Sequence, residues 1–254
     1  MTALITDELR DRGFSVVRGP LHRTEYFELA RTLGEFVGVE SIALRPGAHA
    51  YVAKPGRVPL HTDHPQVGVI GWLCEAQDDA DGASLLLDAR PVVESMPEEE
   101  RELLYRVHLA CPPLEGGPPT ERWPVLRRTD RGDAVFCSPW LRAIDATAGQ
   151  EVALARFRTD LSNQAKVAVT EVRLAPGDAL FVDNRRVLHG RRSIADASQR
   201  RLLRTWLRTD CHPGVGTNAG EHHDRLKEQP AARDFGATSR RSYVGHISME
   251  TEKS

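Results

Sequence analysis

The sequence predicts a mostly β fold with flanking helices. From residue 41 onward it consists largely of short apolar runs separated by Gly, Pro and Asp, a pattern typical of β-strands joined by turns. Two segments with a helical spacing of apolar residues come before these runs. The 254 residues suffice for one sizeable core without division into two domains. We therefore expect a single domain over residues 1–254.

The N-terminal region predicts two helices with a strand between them. Residues 6–13 show a helical pattern that Gly13 ends, and FSVVRG then predicts a short strand. TEYFELARTLGEFV predicts an amphipathic helix that Thr24 caps and Gly38 ends. The residues expected to share the apolar face of this helix are Phe27, Leu29, Leu33 and Phe36.

The later elements are predicted mainly as strands, in the runs SIAL, HAYVA, VGVIGWLCEA, ASLLLDA, VAVTEVRL and ALFVD. One helix interrupts them at about residues 97–107, where an acidic run suits a helix N-terminus. Residues 112–134 are rich in Pro, Gly and charge, which predicts a long loop or lid. Residues 211–254 are polar and irregular, which predicts a polar C-terminal extension.

Charge and composition favour a small-molecule partner. The 34 basic and 36 acidic side chains give a formal net charge of -2, so no global field would attract nucleic acid or an anionic membrane. The N-terminus lacks the basic start and apolar run of a secretory signal, and no later segment has the length needed to cross a bilayer. The four cysteines stand singly, without the close pairs of a zinc ribbon. We expect a cytoplasmic protein.

The motif PLHTDHP contains a candidate metal site. His61 and Asp63 are two residues apart, so on a strand an imidazole and a carboxylate would project from one face. The same spacing recurs at His222 and Asp224, so spacing alone does not identify a site. The strand that follows the first pair and the downstream segment DNRRVLHGR favour the first pair.

His189 is the candidate third ligand. It lies 128 residues beyond His61, after a Pro-Gly-Asp turn, a strand and a tight Asp-Asn bend, and a barrel would bring this late strand beside the early one. Two imidazoles and one carboxylate on one face of an iron ion leave three coordination positions open, as in non-haem iron(II) oxygenases. The alternatives are a surface polar pair for His61 and Asp63, and a buried structural histidine for His189.

An arginine-rich segment predicts an anion site. In QRRLLRTWLRTD, Arg200 and Arg204 alternate with apolar residues, so both would face one way on a strand. A 2-oxoacid that chelates iron leaves its far carboxylate in need of a cation, ideally the planar fork of an arginine. Arg204 would then lack a partner unless a protein acid lies nearby, which predicts a substrate with a carboxylate or similar anion. The alternative for both arginines is an exposed position beside acidic neighbours.

Together these motifs resemble the taurine dioxygenase and clavaminate synthase superfamily of iron(II)- and 2-oxoglutarate-dependent oxygenases. The resemblance covers most of the chain, from the opening helix and strand through HTD, DADGASLLLDA and DNRRVLHGR to RRLLRTWL. It implies a double-stranded β-helix, or jelly-roll, of the clavaminate synthase type. The residue roles that it implies are His61, Asp63 and His189 as iron ligands, Arg200 and Ser84 as contacts to 2-oxoglutarate, and Arg204 as a contact to the primary substrate.

The resemblance also implies a reaction that consumes 2-oxoglutarate and O₂. Succinate and CO₂ would form while an unactivated carbon of a small carboxylate-bearing molecule, an amino acid or a biosynthetic intermediate, is hydroxylated. Asp63 argues against halogenation, because halogenases of this superfamily carry Gly at that position. The alternatives are a desaturase or cyclising oxidase with the same iron site, a substrate tethered to a carrier protein, and a non-catalytic β-barrel binding module. His64 is expected to point away from the ligands, and Trp140 to line the pocket or pack in the core.

Overall fold

The computed structural model of the protein describes residues 1–45, 47–48, 50–78, 82–114 and 121–209. The helices in these ranges are α1 (Thr2–Arg12), α2 (Arg23–Leu33), α3 (Arg90–Ser95), α4 (Glu98–Leu104) and α5 (Ala148–Ala168). The strands are β1 (Phe14–Val17), β2 (Glu35–Ala43), β3 (Val58–His61), β4 (Val69–Ala76), β5 (Ser84–Asp88), β6 (His108–Cys111), β7 (Glu121–Pro124), β8 (Leu126–Thr129), β9 (Gly132–Val135), β10 (Ala143–Ile144), β11 (Thr170–Val172), β12 (Ala179–Asp183), β13 (Val187–Arg191) and β14 (Arg201–Arg208).

Two antiparallel sheets form the centre of the fold. The larger sheet has the strand order β1-β12-β4-β14-β2, and the smaller sheet has the order β11-β5-β13-β3. Side chains from both sheets build one core, with Ile70, Trp72 and Leu202 from the larger sheet and Leu86 and Val187 from the smaller. The prediction of a mostly β, jelly-roll fold is confirmed.

Helices cover the outer faces of both sheets. On the larger sheet, Ile5 of α1 and Tyr26 of α2 belong to one apolar cluster with Phe181 of β12. On the smaller sheet, Phe157 of α5 belongs to a cluster with Leu188 of β13. The space between the sheets is therefore shielded from both sides. No described helix has the length and apolar content needed to cross a membrane.

The helix predicted from TEYFELARTLGEFV is shorter than expected. It starts after His22 rather than at a Thr24 cap. It ends at Leu33, because the next residue, Gly34, lies close to the backbone of β14. Phe36 therefore lies in β2 and not on the helix. Gly38 does not end the helix either, because it lies within β2 opposite β14. The spacing of three residues from Leu33 to Phe36 is typical of a helix, so the apolar pattern alone did not show where the helix ends.

The sequence analysis did not predict α5, which is the longest of the described helices. Two reciprocal hydrogen bonds cap its start. The backbone N–H of Gln150 donates to Oγ1 of Thr147 at 3.3 Å, and the backbone N–H of Thr147 donates to Oε1 of the Gln150 side chain at 2.8 Å. The buried face consists of Ala153, Leu154, Phe157 and Leu161. Both signals are present in the sequence and could have identified the helix.

The region predicted as a loop or lid, residues 112–134, contains three short strands where it is described. These are β7, β8 and the start of β9, so the prediction of a long loop is wrong over residues 121–134. In the run HAYVA, the described residues 50–53 contain a 3₁₀ turn, Tyr51–Ala53, in place of the predicted strand. Residues 115–120 and 210–254 lie outside the described ranges, so the C-terminal extension and the single domain over 1–254 stay predictions.

A buried arginine ties α1 to the strand that carries His189. Nη2 of Arg186 donates to Oδ2 of Asp88 at the end of β5, at 2.6 Å. The same guanidinium donates to the carbonyl oxygens of Arg10 at 2.8 Å and Asp11 at 3.0 Å. These carbonyls belong to the last turn of α1, where backbone acceptors lack helical partners. Arg186 thus links the helix end, β5 and the turn that leads into β13.

Candidate active site

Three side chains, those of His61, Asp63 and His189, converge between the two sheets. Nε2 of His61 lies 3.4 Å and Nε2 of His189 lies 3.5 Å from Oδ1 of Asp63. His61 and His189 are register partners on the antiparallel strands β3 and β13. Asp63 lies two residues beyond the end of β3. The ligand atoms of all three lie within 4.8 Å of one another, close enough to share one metal ion.

The donor atoms fit a divalent ion such as iron(II). Nδ1 of His61 donates to the carbonyl oxygen of Pro59 at 2.9 Å, which leaves the lone pair of Nε2 directed at the cluster. Burial, followed by the neighbouring His61 ring, lowers the pKa of His189 to about 4, so this imidazole is neutral. Burial acts to raise the pKa of Asp63, but Arg204 and His189 outweigh it and hold the pKa well below its usual value. The cluster therefore offers a neutral imidazole from His189, a carboxylate from Asp63 and the Nε2 atom of His61 to one ion.

The outer oxygen of Asp63 is held by the larger sheet. Oδ2 accepts a hydrogen bond from the indole Nε1 of Trp206 at 2.7 Å and from Nη1 of Arg204 at 3.3 Å. Nη2 of Arg204 donates to Oε2 of Glu40, its register partner on β2, at 2.6 Å. A protein acid therefore lies beside Arg204, which is the alternative that the sequence left open. Trp206 was not among the residues predicted for the site.

Two buried arginines bring positive charge to the same cavity. Arg200 is 6% exposed, its Nε donates to Oε1 of Gln77 at 3.0 Å, and it forms no ion pair with a carboxylate of the described residues. Burial, followed by the charge of Arg191, lowers the pKa of Arg200 to about 10. Burial alone lowers the pKa of Arg191 to about 10. Among the described residues, Arg191 donates only to backbone carbonyl oxygens, those of Val52, Lys54, Gly56 and Arg192.

One cavity joins five of the six predicted site residues, namely His61, Ser84, His189, Arg200 and Arg204. Ser84 begins β5 and is the register partner of Arg191 on β13. Arg200 precedes β14 and shares the cavity with Leu202 and Arg204, so these alternating residues face one way as the sequence predicted. Apolar side chains such as Trp72 and Leu86 complete the wall. The cavity is therefore cationic at one end and apolar along its sides.

Aromatic rings lie beside the candidate metal site formed by His61, Asp63 and His189. The ring of Trp140 lies 4.8 Å from that of His61 and stacks on Tyr51 at 4.9 Å. Tyr51 is 39% exposed, so these rings extend from a candidate ligand to the protein surface. Trp140 thus lies beside the site and not in the apolar core.

His64 belongs to a second cluster, with Cys111 and Glu121, whose geometry is explained without a metal. The Gln66 amide donates to Nδ1 of His64 at 3.2 Å, so the proton of this ring is on Nε2. That nitrogen lies 3.2 Å from Oε2 of Glu121 and donates to it, and Trp123 donates to the same oxygen at 2.7 Å. His64 is a hydrogen-bonding residue outside the His61 cluster, as its sequence position predicted.

Comparison with protein families identifies the chain. A family model described as taurine catabolism dioxygenase TauD, TfdA family, matches residues 2–206. The chain belongs to the TauD/TfdA family. It is thus a dioxygenase of the family that the sequence motifs resemble. No curated protein gives a significant sequence match to this TauD/TfdA chain.

Solved structures share the fold of this TauD/TfdA protein. Asparagine oxygenase in complex with Fe(II), 2S,3S-3-hydroxyasparagine and succinate has a TM-score of 0.65 and 19% identity, over 81% of this chain and 78% of that chain. The non-heme iron oxygenase OrfP in complex with Fe, succinate and (3S)-hydroxy-L-Arg has a TM-score of 0.61 and 17% identity, over 82% and 80%. PvcB from Pseudomonas aeruginosa has a TM-score of 0.61 and 20% identity, over 82% and 80%.

Proposed function

We propose that this protein is an iron(II)- and 2-oxoglutarate-dependent dioxygenase that hydroxylates an unactivated carbon of a free amino acid or a similar small carboxylate-bearing molecule. The observation that carries the proposal is the single cavity shared by His61, His189 and the buried Arg200. Among the described residues no carboxylate pairs with the guanidinium of Arg200, and a buried guanidinium without such a partner is costly unless a ligand supplies the negative charge. A dianionic co-substrate that also binds the metal supplies that charge.

His61, Asp63 and His189 hold the iron(II), which supplies the centre where 2-oxoglutarate and O₂ react to give succinate and CO₂. Arg200 binds the far carboxylate of 2-oxoglutarate through its planar fork, and Ser84 contributes a hydroxyl to the same group. Both side chains line the cavity. Apolar walls exclude water around the reacting carbon, which protects the reaction from side products.

Arg204 and Glu40 bind the polar head of the primary substrate. Arg204 keeps the role proposed from the sequence, but it shares its charge with Glu40, whose side chain is 29% exposed. A guanidinium beside a carboxylate suits a zwitterion, because the substrate carboxylate faces Arg204 and its ammonium faces Glu40. The hydroxyamino acids bound to asparagine oxygenase and OrfP support this substrate class.

Anaerobic addition of iron(II) and 2-oxoglutarate tests the co-substrate site directly. A chelated 2-oxoacid gives a weak visible charge-transfer band, which we expect for the wild type and not for a His189→Ala variant. A screen of amino acids by mass spectrometry, coupled to succinate detection, then tests the reaction. The gain of one oxygen is expected. Absence of both the band and succinate would mean a non-catalytic binding module, and loss of two hydrogens would mean a desaturase or cyclising oxidase.

A further inference from the structure

The two carboxylate oxygens of Asp63 have different surroundings. Oδ1 faces the imidazoles of His61 and His189, at 3.4 and 3.5 Å. Oδ2 faces the larger sheet and accepts from Trp206 at 2.7 Å and from Arg204 at 3.3 Å. One oxygen is therefore directed at the candidate metal position, and the other is occupied by hydrogen-bond donors of the protein.

We infer that Trp206 is a positioning residue that keeps Asp63 to one metal-binding oxygen. A carboxylate that bound the metal through both oxygens would fill a coordination position that 2-oxoglutarate or O₂ needs. The indole Nε1 is a hydrogen-bond donor only. Its hydrogen bond holds Oδ2 of Asp63 away from the metal position and leaves Oδ1 to bind the metal. The inference rests on the proposed function, because it assumes a metal bound by Asp63.

The hydrogen bond from Trp206 supports Asp63 more strongly than the one from Arg204. Its length of 2.7 Å is at the short end of the usual range, whereas the contact from Arg204, at 3.3 Å, lies just beyond the long end. Arg204 also donates to Glu40 at 2.6 Å, so its charge is divided between two carboxylates. The guanidinium carbon of Arg204 lies 4.3 Å from the centre of the Trp206 ring, so the indole also fixes the position of the arginine.

The indole reaches Asp63 because the opposite strand leaves space for it. Gly38 of β2 is the register partner of Trp206. A Cβ atom at Gly38 would lie 2.5 Å from Cε3 of the indole, so a larger residue there must displace the ring. Gly38→Ala therefore offers a way to move the indole without changing its chemistry.

The test measures metal binding rather than turnover. Mn(II) is titrated into the full chain in the presence of 2-oxoglutarate and followed by electron paramagnetic resonance, and the anaerobic iron(II) band is recorded in parallel. Trp206→Phe is expected to weaken Mn(II) binding about 10- to 100-fold, the usual effect of losing a hydrogen bond to a metal ligand. The band is expected to shift as well, since the carboxylate donor changes.

Trp123→Phe is the matched control, because the Trp123 indole also donates to a carboxylate at 2.7 Å, but outside the metal cluster. This variant is expected to bind Mn(II) like the wild type. Gly38→Ala is expected to weaken binding in the same direction as Trp206→Phe. Trp206→His, which keeps a ring N–H, is expected to recover part of the affinity.

Two results would overturn the inference: Mn(II) affinity and band unchanged in both Trp206→Phe and Gly38→Ala, or an equal loss in Trp123→Phe. If Trp206→Phe does not fold, Gly38→Ala and Trp206→His decide the outcome by the same measurements. Failure of the wild type to bind Mn(II) with 2-oxoglutarate would remove the proposed function and the inference together. Wild-type binding, with both Trp206→Phe and Gly38→Ala unchanged, removes the inference alone.

Discussion

Replacing Arg200 by Met tests whether a buried positive charge serves the co-substrate. The side chain is 6% exposed and makes its side-chain hydrogen bond with Gln77 at 3.0 Å. Methionine keeps an unbranched apolar stem of similar reach while it removes the charge and the donors. The variant therefore changes ligand recognition with little change in packing.

The expected loss of 2-oxoglutarate affinity is large. A hydrogen bond to a charged group contributes about 1.5–3 kcal/mol, so a two-bond contact with a carboxylate contributes about 3–6 kcal/mol. At about 1.4 kcal/mol per factor of ten, Arg200→Met weakens 2-oxoglutarate binding by about 10²- to 10⁴-fold. The free energy of unfolding of the ligand-free protein changes by about 1 kcal/mol or less, because the lost bond to Gln77 is offset by removal of a buried charge.

Calorimetric titration of 2-oxoglutarate into the Mn(II)-loaded protein measures the affinity, and urea denaturation measures the stability. Arg201→Met is the control, because the Arg201 side chain is 54% exposed and pairs with Glu75 at 2.9 Å on the other face of the strand. It is expected to leave 2-oxoglutarate affinity unchanged. Unchanged affinity in Arg200→Met, or an equal loss in both variants, would refute the assignment of Arg200.

Three further variants test other parts of the structure. Asp63→Gly is expected to abolish metal binding and hydroxylation, because it removes the anionic ligand and the acceptor of Nη1 of Arg204. Metal titration and product mass measure this, and wild-type turnover would contradict it. Asp88→Asn is expected to lower the free energy of unfolding at pH 7 by about 1–3 kcal/mol, because Arg186 is buried and loses its charged partner. Although burial raises the pKa of Asp88, hydrogen bonds led by that from Arg186 hold the pKa below its usual value. The stabilisation is therefore present above the unfolded-state pKa of about 3.9 and is lost as the pH falls through the folded-state pKa, so urea denaturation should show the two proteins converging in acid. Gly13→Ala is expected to lower the free energy of unfolding by about 1–3 kcal/mol, because the backbone φ of 78° is left-handed and the new methyl group would clash with a side chain of β13. Thermal or urea denaturation measures this, and an unchanged midpoint would contradict it.

The sequence was sufficient to predict the candidate metal cluster. His61 and His189 lie on antiparallel strands that a jelly-roll brings into register, and the motifs around them specify which of the ten histidines to choose. The reason given for Asp63 was less accurate. Strand alternation does not place it, because β3 ends at His61 and the next residue turns toward Cys137, whose carbonyl oxygen accepts from the Thr62 amide at 2.9 Å.

The contacts around Arg204 could not be predicted from the sequence. Glu40 and Arg204 are 164 residues apart and meet only through the register of β2 against β14, which no local pattern specifies. The same register places Gly38 beside Trp206. By contrast, α5 could have been predicted, because its capping residues and the helical spacing of its apolar residues are present in the sequence. That error came from the interpretation of the sequence and not from missing information.

Arg191 has a consequence for redesign of the substrate pocket. It anchors the segment of residues 52–56 through main-chain carbonyl oxygens, and every amino acid supplies the same carbonyl. The side chains of this segment are therefore free to vary while its attachment is retained. Val52 lines the cavity, and Tyr51 stacks on Trp140 beside His61. A library randomised at positions 51 and 52 would thus sample new substrate preferences on a backbone that stays fixed.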